Sequence, residues 1–352
     1  MELNVGVIGC GSISRFHFAG LAKAGAKIRW VCDLSEAAAR PWAEKFGARY
    51  TGDFHEVLDD PAVHAVNVTT ISKAHKAICL AAIAAGKAVI CEKTLAVNAD
   101  DALEIVQAAQ RQNVIFYTSY MKRFIPAVQK AKELMPSLRQ ILTTHIRAYQ
   151  YWGDMWSTAP AEGFFHTPPG GTSPVRVSYG GGILTMGGSH ILDLVNFLLG
   201  RPTKLYAQVH VPEGRDYDLR ASALLETGNG IVHFDALAHT LGRIGFLRDG
   251  WDEQVEITGT QGRLTILSAA WDQFEHKASV LIHYDNATGQ STEYRFGPVS
   301  PFEQAIGFFC RQIQLGTQGT QARTTGYDVD ELIAAFHRSS ESGQALDVTY
   351  RI

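Results

Sequence analysis

The sequence predicts a doubly wound, parallel α/β domain followed by an α+β domain rich in antiparallel strands. Three observations carry that expectation. Through residue 91, short apolar runs alternate with helical stretches across brief connections. Beyond residue 140, apolar and polar residues alternate with a period of two, as in strands with one covered face. A chain of 352 residues also exceeds one typical domain and suits two. The division is expected at residues 1–120 and 121–352.

Val5–Ile8 reads as the first buried strand and leads into Gly9-Cys-Gly11-Ser12-Ile13-Ser14, after which a helical stretch runs to Lys23. Ile28–Cys32 is the second strand and ends at Asp33. A helix over Glu36–Phe46, a short strand at Arg49-Tyr50 and a helix over Phe54–Leu58 follow. The series continues with a strand over Ala65–Thr69, an alanine-rich helix over Ala74–Ala85 and a strand over Ala88–Cys91.

Glycines occur in many turns, so the pair at 9 and 11 gains meaning only from its setting. It follows a buried strand, opens a helix, and precedes an acidic residue at the end of the next strand. Gly9 permits the tight turn, Gly11 lets the backbone approach a pyrophosphate, and the helix N-terminus stabilises the phosphate charge. Ser14 stands where a third glycine is usual and is small enough for close helix–strand packing. Together these features predict a Rossmann domain that binds a dinucleotide. Asp33 is placed to accept hydrogen bonds from the adenosine ribose, and its charge opposes a 2′-phosphate, which favours NAD over NADP.

Composition narrows the remaining classes. A net charge of −3 gives no broad attraction to nucleic acid or anionic lipid. No stretch reaches the roughly 18 apolar residues of a membrane span, and no basic region with an apolar run and cleavage site opens the chain. A cytoplasmic protein is expected. The five cysteines show no paired spacing and read as small buried hydrophobes rather than disulfides or a zinc site; no metal is expected.

Further motifs carry a family resemblance. Ala84-Ala-Gly-Lys-Ala-Val-Ile-Cys-Glu92-Lys93-Thr94 is similar to the signature of the glucose–fructose oxidoreductase/inositol dehydrogenase (Gfo/Idh/MocA) family, in which a strand runs into Glu-Lys-Pro. The Asp59-Asp-Pro61 turn, Thr70 with His75, Ser119–Pro126, the Gly180–Gly182 cluster, Gly188-Ser-His190-Ile-Leu-Asp193 and Ser339–Gly343 resemble its other motifs in the same order. The resemblance implies a large open sheet in the second domain whose exposed face supports homodimers or homotetramers. It implies cofactor contacts from Gly9, Gly11, Ser12, Ile13, Asp33, Thr70, His75, Glu92 and Lys93, with Lys93 and His190 catalytic.

Lys93 also has a reading of its own, because the carboxyl end of a parallel strand is where open α/β sheets bind ligands. Its cation there can stabilise a developing alkoxide, while an imidazole at position 190 can take the hydroxyl proton. Otherwise Lys93 is a surface lysine paired with Glu92. Lys122 stands where the family carries a substrate-contacting cation, and Asp193 is placed to orient His190 or bind a hydroxyl.

Two positions depart from the family pattern. Thr94 replaces the signature proline, and Met186 replaces an aspartate one helical turn before the histidine. Methionine exchanges no proton. Asp193 or Thr185 then takes over, His190 works alone with Lys93, or ordinary dehydrogenase chemistry is lost.

In the second domain a helix over Ala127–Met135 precedes strands at Thr143–Tyr151, Leu205–Val211, Ala221–Thr227, Gly230–His239, Gln254–Gly259 and Gly262–Ser268. Helices over Phe302–Leu315 and Val329–Ser342 close the chain. Residues 152–178 are rich in Gly, Pro and aromatics and read as a substrate lid or as a subunit-contact loop. Arg176 within them is a candidate for binding hydroxyls or a carboxylate.

The expected activity is hydride transfer between NAD(P) and a carbinol or carbonyl carbon of a sugar-like compound. The alternatives are an NAD-dependent glycosidase or hydratase acting through transient oxidation, and a non-catalytic dinucleotide-binding sensor. Cleaved or dehydrated product without net NADH distinguishes the first; tight cofactor binding without turnover distinguishes the second.

Overall fold

The computed structural model describes residues 2–153, Trp156 and residues 181–352. The chain divides into two compact units, one of Met1–Met121, Phe302–Asp330 and Arg351–Ile352, the other of Lys122–Pro301 and Glu331–Tyr350.

In the first unit the predicted alternation of strand and helix is present. Its strands are β1 (Asn4–Ile8), β2 (Lys27–Cys32), β3 (Arg49–Thr51), β4 (Ala65–Val68), β5 (Ala88–Cys91) and β6 (Phe116–Thr118). They form one parallel sheet in the order β3-β2-β1-β4-β5-β6. The helices are α1 (Ser14–Lys23), α2 (Glu36–Phe46), α3 (Phe54–Asp59), α4 (Ser72–Ala84) and α5 (Ala99–Arg111). β4 and β5 are buried throughout, because both faces of such a sheet are covered.

Two elements of this unit had no counterpart in the sequence reading. The first is α5, which begins where the Asn98 side chain accepts from the Asp101 N–H at 2.8 Å. The second is β6, only three residues long, which gives periodicity little to work on. Most of α8 (Pro301–Leu315) also belongs here. Phe302 stacks on Phe16 at 4.9 Å and Phe309 on Tyr117 at 4.5 Å.

The second unit holds a nine-stranded sheet, ordered β14-β13-β12-β11-β7-β10-β9-β8-β15. The strands are β7 (Ile141–Tyr151), β8 (Lys204–His210), β9 (Arg220–Thr227), β10 (Gly230–His239), β11 (Trp251–Gly259), β12 (Gly262–Ser268), β13 (Val280–Asp285), β14 (Gln290–Arg295) and β15 (Leu346–Asp347). All neighbours run antiparallel except β7 and β10, which pair in parallel.

Ile146, Ala148, Val232, Phe234, Ala236, Val255, Ile257, Leu264 and Ile266 line the buried face of this sheet. β14 escaped the sequence reading because Gln-Ser-Thr-Glu-Tyr-Arg carries no apolar alternation; it is an exposed edge. At the other side, the Ser339 and Ser340 hydroxyls on α9 (Thr325–Ser342) accept the Ala207 and Val209 N–H groups, each at 2.9 Å.

On the open face His145 and His233 stack at 4.3 Å, Arg147 meets Asp252 at 3.1 Å, and Leu224 and Ile231 are exposed. A short helix, α6 (Pro126–Leu134), follows a 3-10 turn over Met121–Phe124. A π-helical turn, Leu184–Gly188, runs directly into α7 (Ser189–Leu199).

Candidate functional site

The first part of the site is the turn between β1 and α1. Gly9 has φ +101°, and a Cβ there would lie 2.7 Å from the Thr69 carbonyl carbon and Thr70 nitrogen. Only glycine suits that position. Thr69 closes the turn by donating its hydroxyl to the Gly9 carbonyl at 2.6 Å. Gly11 differs, since a Cβ there would meet no heavy atom within 4 Å. Among the described residues, packing gives no reason for a glycine at this point.

Ser12 is exposed and Ile13 half-buried, and Ile13 at the start of α1 provides no side-chain cap. The first N–H groups of a helix need acceptors, and a phosphate is a suitable one. Asp33, just past β2, accepts the Cys10 N–H on one oxygen at 2.7 Å and the Ser35 N–H on the other at 2.8 Å. The carboxylate is thus fixed in place beside the glycine turn. These features fit the pyrophosphate and ribose of a dinucleotide. Burial, with Asp33 close by, raises the Cys10 and Cys32 thiols to about 12, so they stay un-ionised. All five cysteines are buried and free.

The second part is the end of β5. Glu92 is buried, and one of its oxygens accepts the Lys93 backbone N–H at 3.1 Å. The other lies 2.8 Å from Nε2 of His17, a buried residue of α1 whose Nδ1 is 3.0 Å from Oδ1 of Asn67. Burial works against the Glu92 charge, but His17 and the adjoining Lys93 outweigh it and hold the carboxyl below its ordinary range. The Lys93–Thr94 peptide is cis.

His75 is fully buried between carbonyl oxygens: Thr94 and Leu95 at 3.0 and 3.2 Å from Nδ1, and Thr70 at 3.1 Å from Nε2. Its ring joins the loop after β4 to the turn after Lys93. Burial lowers its basicity. Gly9, Gly11, Asp33, Thr70, His75, Glu92 and Lys93 therefore gather at the carboxyl ends of β1, β2, β4 and β5.

In the second unit, Lys122 is 2% exposed and its amine forms a buried pair with both carboxylate oxygens of Glu253. Glu253 also accepts the Gln150 amide at 2.9 Å, and Gln150 in turn accepts the Trp152 indole N–H at 3.2 Å. Gly187 makes room for this chain, because a Cβ there would fall 2.3 Å from the Gln150 amide nitrogen. Burial lowers the Lys122 pKa, with Glu253 opposing the shift.

Asp193 on α7 is fully buried and receives a two-pronged contact from Arg123, at 2.7 Å from Nε and 2.6 Å from Nη2. His190 is also buried, one residue into α7, just after the π-helical turn that contains Met186. Single π turns recur at functional sites. Arg176 lies outside the described residues, as do Gly180 and most of the aromatic-rich segment.

Arg123, Glu253 and His17 are among the residues of these networks that had no role assigned from sequence. Arg123 sits within a quoted motif, but nothing local names Asp193 as its partner. Glu253 leaves a legible signal, for it shares strand parity with buried Val255 and Ile257, and a charge on a core-facing position needs a partner. His17 shows only as a polar residue among apolar neighbours of α1.

Residues 3–120 match the family model described as "Oxidoreductase family, NAD-binding Rossmann fold", and residues 140–265 match the model of the GFO/IDH/MocA C-terminal domain. The chain is 28% identical over 309 residues to inositol 2-dehydrogenase 2 of Saccharopolyspora erythraea, covering 85% of this chain and 80% of that protein. Myo-inositol 2-dehydrogenase of Thermotoga maritima is 28% identical over 268 residues, 74% of each. In fold, the chain resembles levoglucosan dehydrogenase, solved in complex with NADH and levoglucosan, with a TM-score of 0.82 at 21% identity over 99% of this chain and 100% of that one. With both domain models matched in order along the chain, this protein belongs to the Gfo/Idh/MocA family of oxidoreductases.

Proposed function

We propose that this oxidoreductase oxidises a secondary hydroxyl of a neutral sugar or polyol, or reduces the matching carbonyl, with NAD rather than NADP as its partner. The observation that carries the reading is the turn at Gly9–Gly11 with an uncapped helix start and a fixed acidic residue, together with Lys93 at the end of β5 in the same unit. Gly9, Gly11, Ser12 and Ile13 would hold the pyrophosphate, and Asp33 the adenosine ribose. Thr70, His75 and Glu92 shape the loops beyond β4 and β5. Bound NAD supplies a hydride acceptor.

In this reading the chain's own groups manage the proton and the charge. The Lys93 ammonium stabilises oxygen as it becomes alkoxide-like, and His190 takes the hydroxyl proton. Lys122 and Asp193 take part with their charges already matched by Glu253 and Arg123. Paired charges suit the dipoles of hydroxyl groups better than a strongly anionic substrate. The inositol dehydrogenase relatives support the same substrate class.

A homodimer or homotetramer forms through the open face of the nine-stranded sheet, where exposed Leu224 and Ile231 lie beside a row of paired polar groups. No helix among the described residues is long and apolar enough to cross a membrane.

The test is purified protein with NAD or NADP against a panel of inositols, sugars and anhydrosugars. NADH should appear with at least one neutral polyol, and calorimetry should show tighter binding of NAD than of NADP. Lys93→Ala and His190→Ala should each lose most of the turnover; undiminished activity in either removes its assigned role.

A further inference from the structure

We propose that His17 is a positioning residue for Lys93, acting through Glu92: the imidazole fixes a buried carboxylate whose second oxygen holds the Lys93 backbone N–H. The inference rests on the reading of Lys93 as catalytic and adds a residue to it. Four groups of the first unit make up the device. His17 Nε2 stands 2.8 Å from Glu92 Oε1, Asn67 Oδ1 stands 3.0 Å from His17 Nδ1, and the Lys93 N–H lies 3.1 Å from Glu92 Oε2.

An ionised carboxylate only accepts hydrogen bonds, so the nitrogen facing Glu92 carries the hydrogen. Asn67 faces the other nitrogen and helps fix the ring's rotation. Phe302, 5.7 Å from the imidazole between ring centres, packs beside it. His17, Asn67 and Glu92 are all buried, leaving water little access to substitute for any of them.

Two consequences follow for Lys93. Its backbone is tied to its neighbour's side chain, which limits the directions in which its own side chain can leave the strand end. A negative charge is also held beside its ammonium, as the mutual attraction of Glu92 and Lys93 indicates. Replacing His17 with a ring of similar shape and no N–H leaves one buried carboxylate oxygen without its donor. The carboxyl then takes up a proton more readily, and Lys93 loses both restraints.

The experiment compares wild type, His17→Phe, His17→Gln and Glu92→Gln, each checked for folding by its thermal midpoint and for NAD binding by calorimetry. Lysines are reductively methylated with 13C-formaldehyde, and the Lys93 signal is assigned by its loss in Lys93→Arg. In Glu92→Gln, which removes the neighbouring charge, the titration midpoint of that signal should fall. In His17→Phe and Glu92→Gln turnover of the panel's best polyol should fall about 100-fold in kcat with KM changed much less. His17→Gln, which keeps an N–H donor, should recover most of that turnover.

If His17→Phe does not fold, Glu92→Gln and the rescue by His17→Gln carry the comparison. Wild-type kcat in folded His17→Phe, or an unmoved Lys93 midpoint in folded Glu92→Gln, overturns the proposal. So does a folded His17→Gln that behaves no better than His17→Phe. Failure of the underlying reading looks different: Lys93→Ala would keep its turnover while the Lys93 signal still moved in Glu92→Gln.

Discussion

In the first unit a Cβ at Gly11 would meet no heavy atom of the described residues within 4 Å, and α1 begins without a side-chain cap. In the second unit Lys122 lies against Glu253 and Asp193 against Arg123, with the Gln150 amide also donating to Glu253. One region keeps space and unclaimed electrostatic capacity for something from outside. The other matches its charges internally. Different substitutions should expose that difference, because stability and ligand binding respond separately in the first region, whereas the paired charges of the second are tied to folding.

The largest stability loss should come from Lys122→Met. It leaves the Glu253 carboxylate buried against the Gln150 amide without its cation, and should lower unfolding free energy by about 3–5 kcal/mol in urea titration. A loss below about 1 kcal/mol would mean that the pair is not the buried, mutually dependent unit described. Gly9→Ala should follow with about 3 kcal/mol, since it combines a positive φ with a Cβ 2.7 Å from backbone. Near-wild-type stability in that variant would show that the turn can relax.

Asp330 gives a change of opposite sign. Its carboxyl accepts the Ala96 N–H at 2.9 Å, its other oxygen has no hydrogen-bond partner among the described residues, and burial raises its pKa well above the ordinary value. The folded chain therefore retains a proton that the unfolded chain releases. Its contribution to stability is fully present below the unfolded carboxylate range and is lost as pH rises towards the folded-state value. Asp330→Asn should gain about 1 kcal/mol at neutral pH and nothing at the acid end. Denaturation at several pH values reads this directly, and a pH-independent difference between the two proteins would contradict it.

The smallest stability effect should come from Gly11→Ala, within about 0.5 kcal/mol of wild type. Calorimetry should nevertheless show NAD affinity reduced roughly tenfold or more, because in the proposed mode of binding the methyl enters the space that a phosphate would take. Unchanged affinity would remove the distinction between the two regions at its clearest point.

Much of the first region was legible in the sequence because its signals are local. A glycine turn, a helix start and an acidic residue at a strand end lie within one βαβ unit, and their physical roles follow from backbone geometry. Two signals in the second unit were legible only in part. Lys122 and Asp193 stand out as charges in apolar surroundings, but periodicity cannot say that Glu253, 131 positions from Lys122, or Arg123, 70 positions from Asp193, will meet them. β14 was missed because an edge strand needs no buried face.

By itself the sequence determined the order of strands and helices in the first unit as far as β5, the glycine turn after β1, the one-sided character of the second sheet and the family motifs. Each is encoded in the spacing of neighbouring residues. Tertiary structure alone decided which carboxylate each of these donors would find: Glu92 for His17, Glu253 for Lys122, Asp193 for Arg123. A charge removed from water must be matched at hydrogen-bond distance, and that match is made in space between segments far apart along the chain.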